Sequence, residues 1–106
     1  MAGPSKMMLI FIGETEMHGE IPLYEVIVRR LAALEVRGAT VQTGVMGFGS
    51  HHKVHRKRLF GVTDDRPVTI AVVDSEEKLR CAASEIRPLV KDGLIILIDV
   101  EEVRQL

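Results

Sequence analysis

The residue types best suited to ligand chemistry lie together near the middle of the chain. A glycine pair flanks an aromatic residue at Gly47, Phe48 and Gly49. The loop that follows is basic and rich in histidine, with His51, His52, Lys53, His55, Arg56, Lys57 and Arg58. Glycine pairs let backbone N–H groups approach a ligand, and a basic loop attracts anions. The pattern therefore predicts a binding site for a small anion, such as a phosphate, where this loop begins.

The histidines of this loop leave three interpretations open. His51 and His55 are four residues apart and would share one face of a helix, as metal ligands can. However, no Asp, Glu or Cys lies between Glu35 and Asp64 to supply a third ligand, and the neighbouring cations would repel a divalent ion. Phosphate contact and plain solvation of a polar loop are therefore favoured, and we predict no metal site. Metal binding stays open as an alternative function.

A second group of polar residues, Glu14, Glu16, His18 and Glu20, follows the first predicted strand. Alternating carboxylates can bind a cation or act as a general base, but on a polar loop they are ordinarily just solvated. The sequence offers no set of nucleophile, base and orienting residue, and no phosphate-binding loop with its lysine. We therefore predict that the protein is not an enzyme.

The composition indicates one cytoplasmic domain that spans residues 1–106. The chain has 106 residues, 46% of them hydrophobic, and 14 Lys and Arg against 15 Asp and Glu give a net charge of -1. That length is enough for one core, and the even charge argues against binding a nucleic acid over a large surface. The only cysteine, Cys81, cannot form an intramolecular disulfide. Residues 1–6 lack the features of a signal peptide, and the apolar residues 7–13 are too few to span a bilayer.

Hydrophobic periodicity predicts four strands and two helices. Pro22 suits a helix start, Gly38 a helix end and Ser75 a helix cap, whereas Gly44 indicates a bulge. Residues 1–6 are expected to be flexible, and residues 50–66 to form a mobile loop. The predicted elements are strand 7–12, helix 22–37, strand 39–46, strand 67–73, helix 76–87 and strand 94–100.

This order, β-α-β-β-α-β, predicts an α+β fold of the ferredoxin-like type. Two right-handed crossovers place both helices on one face of a four-stranded antiparallel sheet. Three of the predicted strands are apolar at both alternating sets of positions, so the other face of the sheet also needs an apolar cover. No segment remains to provide it, and we expect oligomerisation through the sheets.

Several short motifs together resemble an uncharacterised bacterial and archaeal family of small PII-like proteins. The resemblance covers nearly the whole chain, and no single motif is decisive. More distantly the chain is similar to PII signal-transduction proteins and divalent-ion-tolerance proteins, which are trimers of the same plan. The motifs are Gly13-Glu14, Gly19, Pro22-Leu23-Tyr24-Glu25, Gly38-Ala39-Thr40-Val41 and Gly47-Phe48-Gly49.

The resemblance implies a homotrimer that holds a nucleotide in the cleft between adjacent subunits. The loop after the second strand would report occupancy to a regulated partner, either a membrane transporter or an enzyme. Thr40 falls where the PII pattern has its adenine-side threonine, and Gly47, Phe48 and Gly49 fall at the root of the loop. The implied effector is AMP, ADP or ATP, or a related small anion. Together with the basic loop, this predicts a nucleotide-binding set and two further residues, Glu14 and His18, as candidates for the cleft. The nucleotide-binding set is Thr40, Gly47, Phe48, Gly49, Lys53 and His55.

The chain also departs from the PII pattern. Only Lys91, Asp92 and Gly93 occupy the place of the glycine-rich basic loop that grips phosphates in PII proteins, which puts that grip in doubt. Tyr24 is the only tyrosine, so the modified tyrosine of the PII loop has no counterpart. Two alternatives to a nucleotide sensor follow, namely a divalent metal-binding or ion-tolerance protein that uses the histidine loop, and a hydrolase of the bound nucleotide.

Overall fold

The computed structural model describes residues 4–48, 55–56 and 65–104, the pair 55–56 by its backbone alone. Most of the predicted mobile loop lies outside these residues. The strands are β1 (Ser5–Gly13), β2 (Met17–His18), β3 (Ile21–Pro22), β4 (Thr40–Thr43), β5 (Met46–Gly47), β6 (His55–Arg56), β7 (Pro67–Ser75) and β8 (Leu94–Asp99). The helices are α1 (Leu23–Ala33) and α2 (Glu76–Ile86), and a 3-10 turn follows at Arg87–Leu89.

Four of the strands form one antiparallel sheet in the order β4-β7-β1-β8. The register places Leu9 of β1 opposite Ala71 of β7 on one side and Ile96 of β8 on the other. The central pair β1 and β7 is therefore made by strands far apart in sequence, as the split β-α-β plan requires. The predicted ferredoxin-like α+β fold is confirmed.

The helices cover one face of this sheet and form the core with it. Strand side chains alternate between faces, so every second residue of β1 and β7 points at the helices. In the helices the apolar residues recur every three or four positions and meet those of the sheet. The fully buried set is Met8, Ile10, Ile12, Leu23, Ile27, Leu31, Val68, Ile70, Val72, Leu79, Ala82 and Ile86.

Among the described residues, no helix lies over the opposite face of the sheet, which we call the open face. Its most exposed apolar side chains are Phe11, Leu94 and Ile98. None of its strand residues is charged, which is unusual for a surface in contact with water. The open face consists of Met7, Leu9, Phe11, Thr40, Gln42, Thr69, Ala71, Val73, Leu94, Ile96 and Ile98.

Helix α1 ends four residues earlier than predicted, because its end is set by Glu35 rather than by Gly38. Glu35 has φ 60°, a left-handed conformation. Its N–H donates to the Ala32 carbonyl (3.0 Å), and the Val36 N–H donates to the Leu31 carbonyl (3.4 Å). These two bonds are the Schellman pattern of a helix C-terminus. The sequence prediction was wrong here because it assigned the left-handed position to the nearest glycine.

The remaining boundaries differ from the predictions in smaller ways. Strand β1 begins at Ser5, so residues 5 and 6 of the end expected to be flexible are in the sheet. The predicted strand 39–46 is interrupted at Gly44 and becomes β4 and β5. Helix α2 begins after Ser75, whose hydroxyl accepts from the Lys78 N–H as predicted for a cap. Within the described ranges, no helix has the length and apolar character that a membrane crossing needs.

Candidate functional site

The loop that carries the predicted site leaves the sheet beside Pro67. We call residues 44–48 and 65–67 the loop root. The Gly44 N–H donates to the Pro67 carbonyl oxygen (2.7 Å). A Cβ on Gly44 would lie 2.7 Å from Pro67 Cγ, and a Cβ on Gly47 would lie 2.9 Å from it. The chain can approach the proline ring this closely only because both residues are glycines. Packing within one chain therefore accounts for part of the glycine pattern.

The other side of the loop root is tied to the turn after β1. The Arg66 guanidinium donates to both carboxylate oxygens of Glu14, at 3.2 and 2.9 Å. The Glu14 N–H donates to the Arg66 carbonyl (2.8 Å), and the Thr15 N–H donates to the Asp65 carboxylate (2.7 Å). Residues 65 and 66 were assigned to the mobile loop, but these bonds hold them to residues 14 and 15.

Glu14 is therefore occupied in an ion pair. A bidentate guanidinium contact fixes both partners in orientation as well as in distance. Both side chains are about three-quarters buried, with exposed fractions of 27% for Arg66 and 26% for Glu14. Glu14 thus holds the loop root in place.

The turn after β1 also gathers carboxylates. The Glu16 carboxylate accepts a hydrogen bond from the Gly13 N–H. Partial burial raises the pKa of the Glu16 carboxyl above its ordinary value, and the carboxylates of Asp92 and Asp65 act in the same direction. The loop root therefore lies next to several acidic residues in space. Any anion that binds here must do so beside them.

Large apolar side chains are exposed in residues 44–48 of the loop root. Phe48 is 65% exposed, and Val45 and Met46 are also exposed. A flat aromatic ring beside two backbone positions without side chains is suited to contact with the face of a planar ligand. This is the feature of the described residues that best fits the predicted ligand site.

The structure brings together only some of the predicted site residues. Gly47 and Phe48 are adjacent at the loop root, whereas Thr40 lies on the open face opposite Ala71. Ala71 and Pro67 are four residues apart on β7, which corresponds to roughly 13 Å along a strand. His18 is exposed on β2, opposite Ile21 of β3. One chain alone thus leaves the predicted site spread over two surfaces.

Three of the predicted residues lie wholly or partly outside the described residues. Gly49 and Lys53 lie outside the described residues. The backbone of His55 pairs with Gly47 in the β5–β6 ribbon, and its side chain is not among those described. For the metal alternative, the described part of the chain contains no group of three His, Cys, Asp or Glu residues arranged to hold a metal ion. His51 and His52 are outside that part.

A shallow open groove of about 330 Å³ lies elsewhere, between the end of α1 and the start of α2. It contains none of the predicted site residues. The thiol of Cys81 is exposed on its wall. The lining residues are Leu34, Ser75, Glu77, Lys78, Cys81 and Ala82.

Sequence analysis missed the roles of Asp65, Arg66 and Pro67 in building the loop root. A signal was present, because the predicted topology places the end of the first strand beside the start of the third. The register confirms this, since Gly13 is opposite Pro67. The residues that precede Pro67 could therefore have been matched with those that follow Gly13.

Comparison with known proteins agrees with this structure. The family model DUF190 (Uncharacterized ACR, COG1993) matches residues 5–102. A UPF0166 protein of Aquifex aeolicus is 32% identical over 96 residues, which cover 91% of this chain and 90% of that protein.

Among solved structures, the fold is similar to that of CPII from Thiomonas intermedia K12, a nitrogen regulatory PII-like protein bound to ADP, AMP and bicarbonate. The TM-score is 0.73 at 21% identity, over 95% of this chain and 90% of that one. It is also similar to the divalent ion tolerance protein CutA1 from Ehrlichia chaffeensis, with a TM-score of 0.66 at 11% identity, over 96% and 86% of the two chains. At these identities the likeness establishes a shared PII-like fold.

Proposed function

This chain belongs to the DUF190 (UPF0166) family and has a PII-like fold, and from this premise we propose that it is a trimeric, non-enzymatic regulatory protein. In this proposal it binds an adenine nucleotide or a related small anionic effector at clefts between subunits. Occupancy is passed to a partner, a membrane transporter or an enzyme, through residues 50–66.

The observation that carries the proposal is the construction of the loop root. The ring of Pro67 lies close to the backbone of Gly44 and to that of Gly47, and Phe48 is exposed directly after Gly47. Exposed aromatic rings provide a stacking surface for a planar base. A site of this kind, placed where a strand leaves the sheet, supports a nucleotide rather than an anion alone.

The separation of Thr40 from Gly47 supports a site shared between subunits. Thr40 is on the open face, which is free of charge and apolar over most of its area. A second copy packed on that face would bring its own loop root towards the first copy's Thr40. A cleft between copies would thus unite residues that a single chain keeps apart.

In this proposal, basic side chains near the loop root contact the phosphates of the nucleotide. Arg66 is paired with Glu14, and Lys91 is exposed in the turn before β8. That turn is at the same end of the sheet, because Gly93 lies against the Phe11 carbonyl. The candidates for contact with the phosphates are Lys91 and, from the loop, Lys53 and His55. The fold neighbour CPII, bound to ADP, AMP and bicarbonate, supports effectors of this class.

The alternative is a divalent metal-binding or ion-tolerance function, with which the fold similarity to CutA1 is consistent. Its candidate ligands are the histidines of residues 51–55. The two functions require different ligands, a nucleotide in one case and a divalent metal ion in the other. Titration with both kinds of ligand therefore distinguishes them.

Isothermal titration of the purified protein with AMP, ADP and ATP at low salt tests the proposal. We expect saturable binding of at least one nucleotide, weakened by added salt because part of the attraction is electrostatic. Absence of binding up to millimolar nucleotide would reject nucleotide sensing. A thermal shift with divalent metals but with no nucleotide would support the alternative. Release of ADP or AMP from ATP during incubation would instead indicate a hydrolase.

A further inference from the structure

The β5–β6 ribbon at the loop root has two faces with different surroundings. Its register places Met46 opposite Arg56 and Gly47 opposite His55. Residues opposite each other in an antiparallel pair share a face, and successive residues of a strand alternate between faces. Met46 and Arg56 therefore belong to one face of the ribbon, and Gly47 and His55 belong to the other.

The face that carries Gly47, which we call the inner face, is turned towards Pro67. A Cβ on Gly47 would be 2.9 Å from Pro67 Cγ, so the side-chain direction of this glycine leads to the proline ring. The position of His55 is on this same face, directly opposite Gly47. A ligand that entered the inner face at Gly47 would meet the ring of Pro67.

The other face of the ribbon, which we call the outer face, carries the exposed apolar side chains. Met46 is 56% exposed, and Phe48, two residues further along, is 65% exposed. Alternation along the strand places Phe48 on the same face as Met46. The stacking surface of the proposed function is therefore on the outer face. Of the two residues of β6, only Arg56 shares this face.

We propose that Arg56, rather than His55, is the residue of the ribbon that contacts the phosphate of a nucleotide whose base stacks on Phe48. This inference rests on the proposed function, and it replaces His55 by Arg56 among the candidates for the phosphates. Diagonal positions of an antiparallel pair are roughly 7–8 Å apart, which is within reach of aromatic and long side chains. A base stacked on the ring can extend its ribose and phosphate to such a neighbour.

The chemistry of the residue types favours the same assignment. A guanidinium is charged throughout the physiological pH range and presents a planar fork of donors that matches a phosphate. A histidine with its ordinary pKa of about 6.5 is mostly uncharged above neutral pH and attracts an anion less strongly. The arginine near the other end of the loop, Arg66, already directs its fork at both carboxylate oxygens of Glu14.

Isothermal titration with adenine nucleotides and with adenosine tests the assignment. We choose low salt and about pH 6, where an ordinary histidine is mostly protonated, because these conditions favour the competing residue. For whichever of AMP, ADP and ATP binds the wild type, Arg56→Gln should raise the dissociation constant about tenfold, a usual loss for one hydrogen-bonded charge. Adenosine has no phosphate, so its affinity should not change. His55→Gln is the matched control and should bind all these ligands as the wild type does.

Three further variants separate a phosphate contact from an effect on the ribbon. Phe48→Ala removes the stacking surface, so it should weaken adenosine and the nucleotides alike. Arg56→Lys keeps the charge but not the fork, and it should recover part of the nucleotide affinity that Arg56→Gln loses. Arg104→Gln removes an exposed arginine beyond β8 and controls for net charge. It should leave every dissociation constant unchanged.

The outcomes distinguish this assignment from the proposed function. An Arg56→Gln protein that binds nucleotides as the wild type does would overturn the assignment, and so would an equal loss in His55→Gln. Equal weakening of adenosine and nucleotides by Arg56→Gln would also overturn it, because the residue would then act on the ribbon and not on the phosphate. A wild-type protein that binds none of the three nucleotides up to millimolar concentration would instead reject the proposed function, and the assignment with it.

Discussion

The ring of Pro67 lies so close to the backbone of Gly47 that a Cβ on that glycine would be 2.9 Å from Pro67 Cγ. Gly44 makes the same kind of approach, at 2.7 Å. The proline therefore fixes the path of the chain between β4 and β5. Since Phe48 follows directly, the position of the proposed stacking surface depends on this contact.

Gly47→Ala should destabilise the protein and displace the loop root. The added methyl group overpacks against a ring that cannot move as a flexible side chain does, and overpacking of this kind costs about 1–3 kcal/mol. Urea unfolding measures the loss. Gly38→Ala is the control, because a Cβ on Gly38 meets nothing within 4 Å.

Pro67→Ala in the Gly47→Ala background provides the more specific test. If the two residues interact as described, the double variant should be more stable than the sum of the single changes predicts. Strict additivity, or a Gly47→Ala protein as stable as the Gly38→Ala protein, would show that the contact does not limit this position.

Glu35→Gly should stabilise the protein by about 0.5–1 kcal/mol. Glu35 ends α1 with φ 60°, a conformation that costs energy for residues with a Cβ and none for glycine. The greater freedom of glycine in the unfolded chain offsets part of the gain. Thermal unfolding of Glu35→Gly and Glu35→Ala separates conformation from charge. Equal stability of the two variants would contradict the explanation.

The end of α1 shows what the sequence could and could not predict about the fold. The apolar spacing of Leu23, Ile27 and Leu31 predicted the helix and its buried face, and all three are buried. Its end was less predictable, because the Schellman bonds form at whichever residue the packing of Val36 and Leu31 favours. A glycine was available three residues later, at Gly38, but the chain turns at Glu35.

The candidate site shows the corresponding limit for function. Sequence order identified the glycine pattern and the absence of acidic residues between Glu35 and Asp64. It did not indicate that Glu14 and Glu16 would lie beside residues 65 and 66 of the loop root, because antiparallel pairing of β1 with β7 brings together residues about 50 positions apart. The charges of residues that are neighbours in sequence therefore do not predict the charge around a site that two strands distant in sequence build together.

The pH dependence of stability should reveal the charge of Glu16. Its pKa is raised in the folded protein, so ionisation destabilises the fold at neutral pH. That destabilisation is relieved as the pH falls through the raised pKa. Glu16→Gln can still accept from the Gly13 N–H, and it should be more stable than the wild type at pH 7. The gain should vanish below about pH 4, where the carboxyl is protonated in both states.

Urea unfolding at pH 7 and at pH 4 measures this difference. Glu101→Gln, on an exposed side chain after β8, controls for the change in net charge. A gain that is equal at both pH values would mean that Glu16 acts through its packing and not through its charge. A loss at pH 7 would mean that the hydrogen bond to the ionised carboxylate outweighs its burial.

The open face makes a prediction about assembly that a single substitution can test. Ile98 is on this face and is 41% exposed in the single chain, so Ile98→Asp leaves the carboxylate in water when the chain is alone. In a trimer packed through the open faces the same carboxylate would be buried without a partner, at a cost of several kcal/mol. The variant should therefore be a folded monomer at concentrations where the wild type is a trimer.

Light scattering after size-exclusion chromatography gives the mass, and far-ultraviolet circular dichroism shows whether the fold is kept. Ile96→Asp, on the same face, should behave in the same way, whereas Val103→Asp should remain a trimer because Val103 is already 97% exposed. An Ile98→Asp protein that keeps the mass of a trimer would show that the open face is not the interface. The charge-free surface would then require a different partner, and a nucleotide site completed by a second copy would lose its basis.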